Sequence, residues 1–267
     1  MLILMNNYII RKITKYDKKK NKYSYKYYNN NNPIPYHKIH KYLQNIYIPP
    51  GYDNVKININ KNSKVVAIGY DSKGRPQYIY NKSQSDKSCK KKFISLIDFG
   101  ENYEYIMKVI NKDLSLDENS KDKQIAMILT IIIKCNFRIG NDKYTKENNS
   151  FGVSTLENRH IKLKNNTIFI DFIGKKGVRN TCSLKNTKII KNIKSKKKSL
   201  SKRDRIFKYK SLNGYKNITS NDVNEYLKEL GNYSTKNFRT WGANIQLIEL
   251  LVKNNTFKKS LEIVAEN

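Results

Sequence analysis

The chain has 267 residues, with 53 Lys+Arg against 22 Asp+Glu and a formal net charge of +31, far more than solubility asks of a folded domain. Such a surplus points to a polyanionic partner, and nucleic acid fits because each basic group that neutralises a phosphate releases condensed counterions. The 38% hydrophobic content leaves room for a real core, while the longest apolar run, residues 125–133, is well short of the ~20 residues that span a bilayer. No basic helix with bulky apolar residues on its opposite side is apparent, which argues against an anionic membrane surface as the partner.

In chain order, MLILMNNYII is too short for a signal peptide and reads as a first strand. Up to about residue 80 the pattern is short strands broken by turns. Ile57 and Ile59 alternate with Asn58 and Asn60, residues 64–70 form a β-branched run, and residues 71–74 have the composition of a tight turn leading into the alternating stretch 77–81. A small antiparallel sheet or barrel is predicted. On a strand Tyr78 and Tyr80 share a face, with Lys73 and Arg75 in the adjoining turn. Two phenols and two cations suit contact with phosphates or base edges, although tyrosines on a sheet also pack against neighbours. Residues 81–92 are polar, lysine-rich and aperiodic, and are predicted to be a linker.

Beyond residue 92 the period changes. Phe93, Ile94, Ile97, Tyr103, Ile106, Met107 and Ile110 recur at helical spacing, and Ser115 with Glu118 forms a candidate capping box for a helix ending near Phe137. In F-R-I-G-N-D-K-Y, residues 137–144, an apolar helix delivers Arg138 at its end and Gly140 marks the stop; the arginine could equally complement the helix dipole. Two strands are predicted at residues 161–163 and 167–172, joined by a turn at 164–166. D-F-I-G-K-K-G-V, residues 171–178, then places Lys175 on a hairpin tip, where it is either simply solvated or able to donate a proton to a leaving oxygen. The basic run 185–205 could contact phosphates or serve as a nuclear signal, and a solvated surface loop is the preferred reading. Helices suit residues 222–230 and 241–252, and in K-N-F-R-T-W-G Lys236 lies one turn before Arg239, whose fork can bind two non-bridging phosphate oxygens.

Cys89, Cys135 and Cys182 are odd in number, far apart and without a C-x-x-C pair, so neither a disulfide framework nor a zinc site is predicted, and a reduced intracellular compartment is expected. His37 and His40 have helical spacing but no acidic or cysteine neighbour to complete a metal site, and His160 is expected to be structural.

Taken together and in order, these segments resemble the type IB DNA topoisomerases, especially the small poxvirus-like enzymes. D-S-K-G-R-P-Q-Y-I-Y (71–80), R-I-G-N-D-K-Y-T-K-E-N-N-S-F-G-V-S-T-L-E-N-R-H-I (138–161), the Lys175 turn and K-N-F-R-T-W-G (236–242) each have a counterpart. The resemblance runs from about residue 65 to the C-terminus and implies an α+β fold: an N-terminal antiparallel β domain over residues 1–84 that clamps DNA, then a mainly helical catalytic domain over 85–267 with an inserted β-hairpin, as in topoisomerases IB and tyrosine recombinases. It implies relaxation of supercoiled double-stranded DNA by a monomer, through a 3′-phosphotyrosyl intermediate, with no cofactor, neither ATP nor a metal, and no membrane. Arg138 and Arg239 would stabilise the phosphorane, and Lys175 would be the general acid. Lys73, Arg75, Tyr78, Tyr80, Lys143, Tyr144 and Lys236 would contact DNA.

Three departures accompany the resemblance. Pro76 follows Arg75 where a second basic residue is usual, and Lys176 occupies a position that is commonly acidic. The family's histidine and nucleophilic tyrosine lie beyond a V-A-E segment, whereas this sequence closes on I-V-A-E-N, with no tyrosine after Tyr233 and no histidine after His160. A fragment or frameshifted product of a full enzyme is the preferred explanation, ahead of a decayed copy that only binds DNA. A tyrosine recombinase is the nearest rival, but it usually carries H-x-x-R where this chain has Lys236 before Arg239. The expected location is intracellular: virion or host cytoplasm for a poxvirus-like protein, otherwise the nucleus.

Overall fold

The computed structural model describes residues 8–44, 46–60 and 62–254, so part of the strand predicted at the N-terminus and the I-V-A-E-N segment lie outside the described residues. The chain divides into two compact units, Met1–Phe93 and Ile94–Asn267.

The first unit is one antiparallel sheet with a helix against it. Its elements are β1 (Tyr8–Asp17), β2 (Lys22–Asn29), β3 (Asn32–Ile34), α1 (Tyr36–Leu43), β4 (Asp53–Asn58), β5 (Val65–Tyr70) and β6 (Pro76–Tyr80), with strand order β3-β2-β1-β4-β5-β6. The two-residue period puts Ile9, Val55, Ile57, Ala67 and Tyr27 on one face, buried with Ile39 of α1. Arg11 belongs to this inward row. It is accommodated because its Nη2 donates to the carbonyls of Pro49 (3.0 Å) and Tyr52 (2.9 Å) and its guanidinium lies 4.4 Å from the centre of the Tyr25 ring. On the opposite face Lys12 sits over Tyr28 and Lys56 over Tyr8. The register Ile68↔Tyr78 and Lys56↔Ile68 brings Tyr78 to that same face.

Residues 81–92 are not a linker but the first half of α2 (Lys82–Glu101). The Asn81 side chain accepts from both the amide (3.1 Å) and the hydroxyl (3.0 Å) of Ser83, an N-cap that starts a helix whose first half, residues 82–92, buries no side chain. That is why hydrophobic periodicity did not reveal it.

The second unit is built around one helix. It contains α3 (Tyr103–Asp113), α4 (Lys121–Cys135), α5 (Asp142–Asn148), β7 (Ile161–Lys164), β8 (Thr167–Ile173), β9 (Arg179–Leu184), α6 (Thr187–Lys197), β10 (Lys208–Ser211), β11 (Gly214–Asn217), α7 (Ser220–Glu229) and α8 (Thr235–Asn254). Every residue of α4 from Lys123 to Ile132 is buried, as a helix that is apolar all round must be, and it packs against α3, α7, α8, β9 and β10. Its cap is Ser120, whose hydroxyl accepts from the Lys123 amide at 3.3 Å. Ser115 is not the cap; its hydroxyl bonds Lys188 Nζ instead, because residues 115–119 form turns that lead the chain into the core. The helix stops at Cys135 through Asn136 in the left-handed conformation (φ 54°), not at Phe137.

The predicted hairpin is part of a three-stranded sheet, β7-β8-β9, turned at Asn165 and Asn166, both at positive φ. β9, R-N-T-C-S-L, buries only Leu184, so nothing in its polarity announced a strand. The basic run is only partly a solvated loop: residues 198–203 form largely exposed turns, but α6 buries Ile189, Ile190 and Ile193, an apolar stripe at helical spacing that the surrounding lysines obscured, capped by Asn186 on the Ile189 amide (3.1 Å). The last helix starts at Thr235 rather than near Trp241, which places Lys236 and Arg239 inside its first turns. Trp241 fills space beside Phe99 and Tyr103, where a Cβ on Gly100 would come within 2.3 Å of the indole. None of the described helices is long and apolar enough to cross a membrane.

The half-buried Lys196 donates to the Lys208 carbonyl at 2.8 Å, and desolvation, aided by Lys123 and Lys208 against Glu118, pulls its pKa down to about 8. Between pH 8 and the ordinary lysine range the unfolded chain holds a proton that the folded chain has released, so folding stability rises with pH across that window. We expect a gain of about 1–2 kcal/mol between roughly pH 8 and 10 in urea titrations. The gain should vanish in Lys196→Met and turn over above pH 10, where Tyr233, pushed up to about 12 by burial and Asp98, ionises only in the unfolded chain.

Candidate functional site

The segment that follows α4 is held straight by its neighbours. The Arg138 and Ile139 carbonyls accept from the amides of Val153 (2.9 Å) and Ser154 (2.8 Å), and the Phe151 amide donates to the Ile173 carbonyl (2.9 Å). Gly140 (φ 88°) and Gly152 make the approach possible: a Cβ on Gly152 would lie 2.3 Å from the Gly140 nitrogen and 2.7 Å from the Arg138 oxygen. Thr155 closes the loop, its hydroxyl accepting from the Gly152 amide at 2.9 Å. The guanidinium of Arg138 is thereby fixed at its root while its tip is exposed.

Arg239 approaches from α8. Its Nε donates to the Asn136 carbonyl at 2.8 Å, one of the orphan acceptors at the end of α4, which leaves both Nη groups to bind something else. Its pKa is lowered first by burial and then by the positive charge of Arg138. Two guanidiniums are thus held against their mutual repulsion, and among the described residues neither forms a salt bridge. Two neighbouring cations without a carboxylate partner suit an anionic ligand.

Lys175 sits in the turn between β8 and β9, closed by the Gly174 amide on the Val178 carbonyl (2.8 Å), with Lys176 (φ 64°) and Gly177 (φ 77°) both left-handed. Its ammonium is exposed and forms no ion pair among the described residues. The turn follows Ile173, which bonds Phe151 next to the Arg138 ladder. Backbone bonds therefore connect the segments bearing Arg138 and Lys175, and the Arg239 side chain ties α8 to the same place through Asn136. Arg239 is anchored two residues from Arg138, at Asn136, while Lys175 is joined to them through this scaffold rather than by a side-chain contact.

The remaining predicted contacts fall in three places. Lys236 is exposed in the first turn of α8, and Lys143 and Tyr144 are exposed on α5, where Lys143 meets Glu147 only at 3.9 Å. Lys73 and Arg75 occupy the β5–β6 turn of the first unit with Tyr78 and Tyr80 beyond it, but Arg75 is engaged by Asp71 (2.7 Å), whose carboxyl it holds down at about 2. Three features were missed in the sequence. Asn136 seats Arg239; the signal was an asparagine directly after an apolar helix. Arg205 is paired with Asp142, at the start of α5, and had no recognisable spacing. Cys135 and Cys182, whose spacing offers no reason to pair them, form a disulfide with Cα atoms 5.8 Å apart, because β9 packs on the end of α4. His160 is structural: its Nδ1 accepts from the Glu157 amide (3.0 Å), its ring packs on Phe151, and burial lowers its pKa.

The profile of the family described as eukaryotic DNA topoisomerase I, catalytic core, matches residues 81–266. The DNA topoisomerase 1B of Acanthamoeba polyphaga mimivirus is 32% identical over 241 residues, 88% of this chain and 71% of that protein. DNA topoisomerase I of Monkeypox virus and DNA topoisomerase 1B of Vaccinia virus (strain Copenhagen) are each 31% identical over 116 residues, 43% of this chain but 37% of theirs. A solved XerH site-specific recombinase bound to difH substrate is similar at 17% identity over 60% of this chain and 44% of that one, with a TM-score of 0.38, too low to bear on the architecture. On the extent of the family match and the mimivirus identity, the chain belongs to the type IB DNA topoisomerases.

Proposed function

We propose that this chain binds duplex DNA and prepares one backbone phosphate for attack by a tyrosine, the strand-cleaving step of supercoil relaxation. The observation that carries this reading is the Arg138–Arg239 pair: Arg239 is seated on the carbonyl of Asn136, two residues from Arg138, and among the described residues no acid forms a salt bridge with either. As a tyrosine oxygen bonds to phosphorus, charge builds on the non-bridging oxygens, and fixed forks stabilise it without reorganisation. As the P–O5′ bond breaks, Lys175 gives its proton to the departing oxygen, and the new 5′-hydroxyl reverses both steps when the strand is rejoined. Tyr78, Tyr80 and Lys73 on the first unit, and Lys143, Tyr144 and Lys236 on the second, supply contacts that position the duplex, with Arg75 contributing less because Asp71 already holds it.

Tyr233 is not the nucleophile in this reading. It is buried, its hydroxyl donates to Asp98 Oδ2 at 2.8 Å, and its pKa is pushed up to about 12. That observation favours a second reading, DNA binding without cleavage. Supercoiled plasmid incubated in EDTA with the protein expressed from its native gene separates the two. The first reading expects relaxed topoisomers and, on adding denaturant, protein joined to a 3′ end; retardation that fades steeply with salt and leaves supercoiling intact would refute it.

A further inference from the structure

We infer that Cys135 and Cys182 form a redox-controlled tether that locks the Arg138 segment to the strand pair carrying Lys175. Cys135 is the last residue of α4, immediately before the Asn136 carbonyl that seats Arg239 and three residues before Arg138. Cys182 lies on β9 opposite Ile170 of β8, in the hairpin whose tip is the Lys175 turn. Their disulfide is therefore the one covalent link, among the described residues, between the elements that present the cations. Apart from it these elements are joined near the site by non-covalent contacts, the edge-on packing of Phe137 against Phe172 and backbone hydrogen bonds such as Phe151 to Ile173, so removing the link leaves weaker contacts alone to hold the end of α4 and the hairpin in register. Both cysteines are half-exposed, open to exchange with a small thiol or disulfide, and among the described residues no cluster of three or more His, Cys, Asp or Glu offers them a metal instead. The third cysteine, Cys89, is exposed and free on α2.

The exchange balances with a low-molecular-weight disulfide as oxidant. One cysteine thiolate attacks it, forming a mixed disulfide and releasing one small thiol; the other cysteine then displaces the second, so two protein thiols become one disulfide as one small disulfide becomes two thiols. Excess dithiol runs the sequence backwards. The tether itself stands on geometry alone, while its consequence for catalysis rests on the function proposed above.

The test uses the full chain as Cys89→Ser, to remove intermolecular pairing, poised with glutathione disulfide or with dithiothreitol. Peptide mapping after alkylation should find residues 135 and 182 linked in the first state and both alkylated in the second. Hydrogen exchange at residues 136–140 and 174–184 should be about tenfold faster when reduced, and Cys135→Ser and Cys182→Ser should show the fast exchange under both conditions. The reduced parent chain gives the same comparison without a substitution, should either variant fold poorly. Relaxation in EDTA should slow about fivefold on reduction as the cations lose their common frame. Two free thiols after oxidation, or linked cysteines with unchanged exchange, would overturn the tether. Unchanged relaxation beside altered exchange would overturn its role at the site. If no relaxation occurs in either state, the proposed function fails, and mapping and exchange still decide the tether.

Discussion

Arg239→Ala is expected to slow plasmid relaxation by on the order of 10²-fold or more, with retardation of the same DNA little changed. The two outcomes separate because affinity is spread over a chain carrying +31, whereas charge developing on a single phosphate is met by few groups. Arg239→Lys should recover little of the loss. A lysine has no Nε to bond the Asn136 carbonyl while two further donors face the anion, and it presents a point charge where the fork presents a plane. Arg138→Ala should cost about as much, and the double substitution should cost well below the product of the two, since both guanidiniums serve one transition state. Relaxation rates in EDTA for the four proteins check this; equal losses of retardation and relaxation would reduce both arginines to ordinary phosphate contacts.

The second large effect concerns a residue with no side chain. Gly152→Ala should destabilise the second unit by about 2–4 kcal/mol. Its backbone is extended (φ −153°), so the conformation suits any residue, but the new Cβ would lie 2.3 Å from the Gly140 nitrogen, 2.4 Å from its Cα and 2.7 Å from the Arg138 oxygen. All three are backbone atoms and cannot swing aside. Relief requires parting the Arg138 segment from residues 152–154, so activity should fall with stability. Gly214, with open space around its Cβ position despite φ 99°, is the control, and its replacement by alanine should cost only about 1 kcal/mol. Urea unfolding checks both through the midpoint at constant slope; a Gly152→Ala midpoint no lower than that of Gly214→Ala would show that the close approach does not matter.

What the sequence disclosed follows from where charge and periodicity coincide. β5 and α4 were legible as continuous apolar runs, buried on every side, and β6 by its alternation after a tight turn. The first half of α2, β9 and α6 were not: residues 82–92 bury no side chain, β9 buries only Leu184, and lysines surround the buried Ile189, Ile190 and Ile193 of α6. Arg138 and Arg239 were recognisable by motif order, yet what seats Arg239 is a main-chain carbonyl at Asn136, and main-chain acceptors have no letter in a sequence. The Cys135–Cys182 pair was hidden for a related reason: the link spans 47 residues, and only the placement of β9 against the end of α4 brings the two together.

In the proposed reaction Arg138, Arg239 and Lys175 converge on one phosphate. A crystal structure of the chain bound to duplex DNA tests it directly. We predict a single backbone phosphate whose non-bridging oxygens lie about 3 Å from both guanidiniums, with Lys175 Nζ at about the same distance from its 5′-bridging oxygen. A complex in which Arg138 and Arg239 hold different phosphates, or in which Lys175 faces away from the one they share, would contradict it.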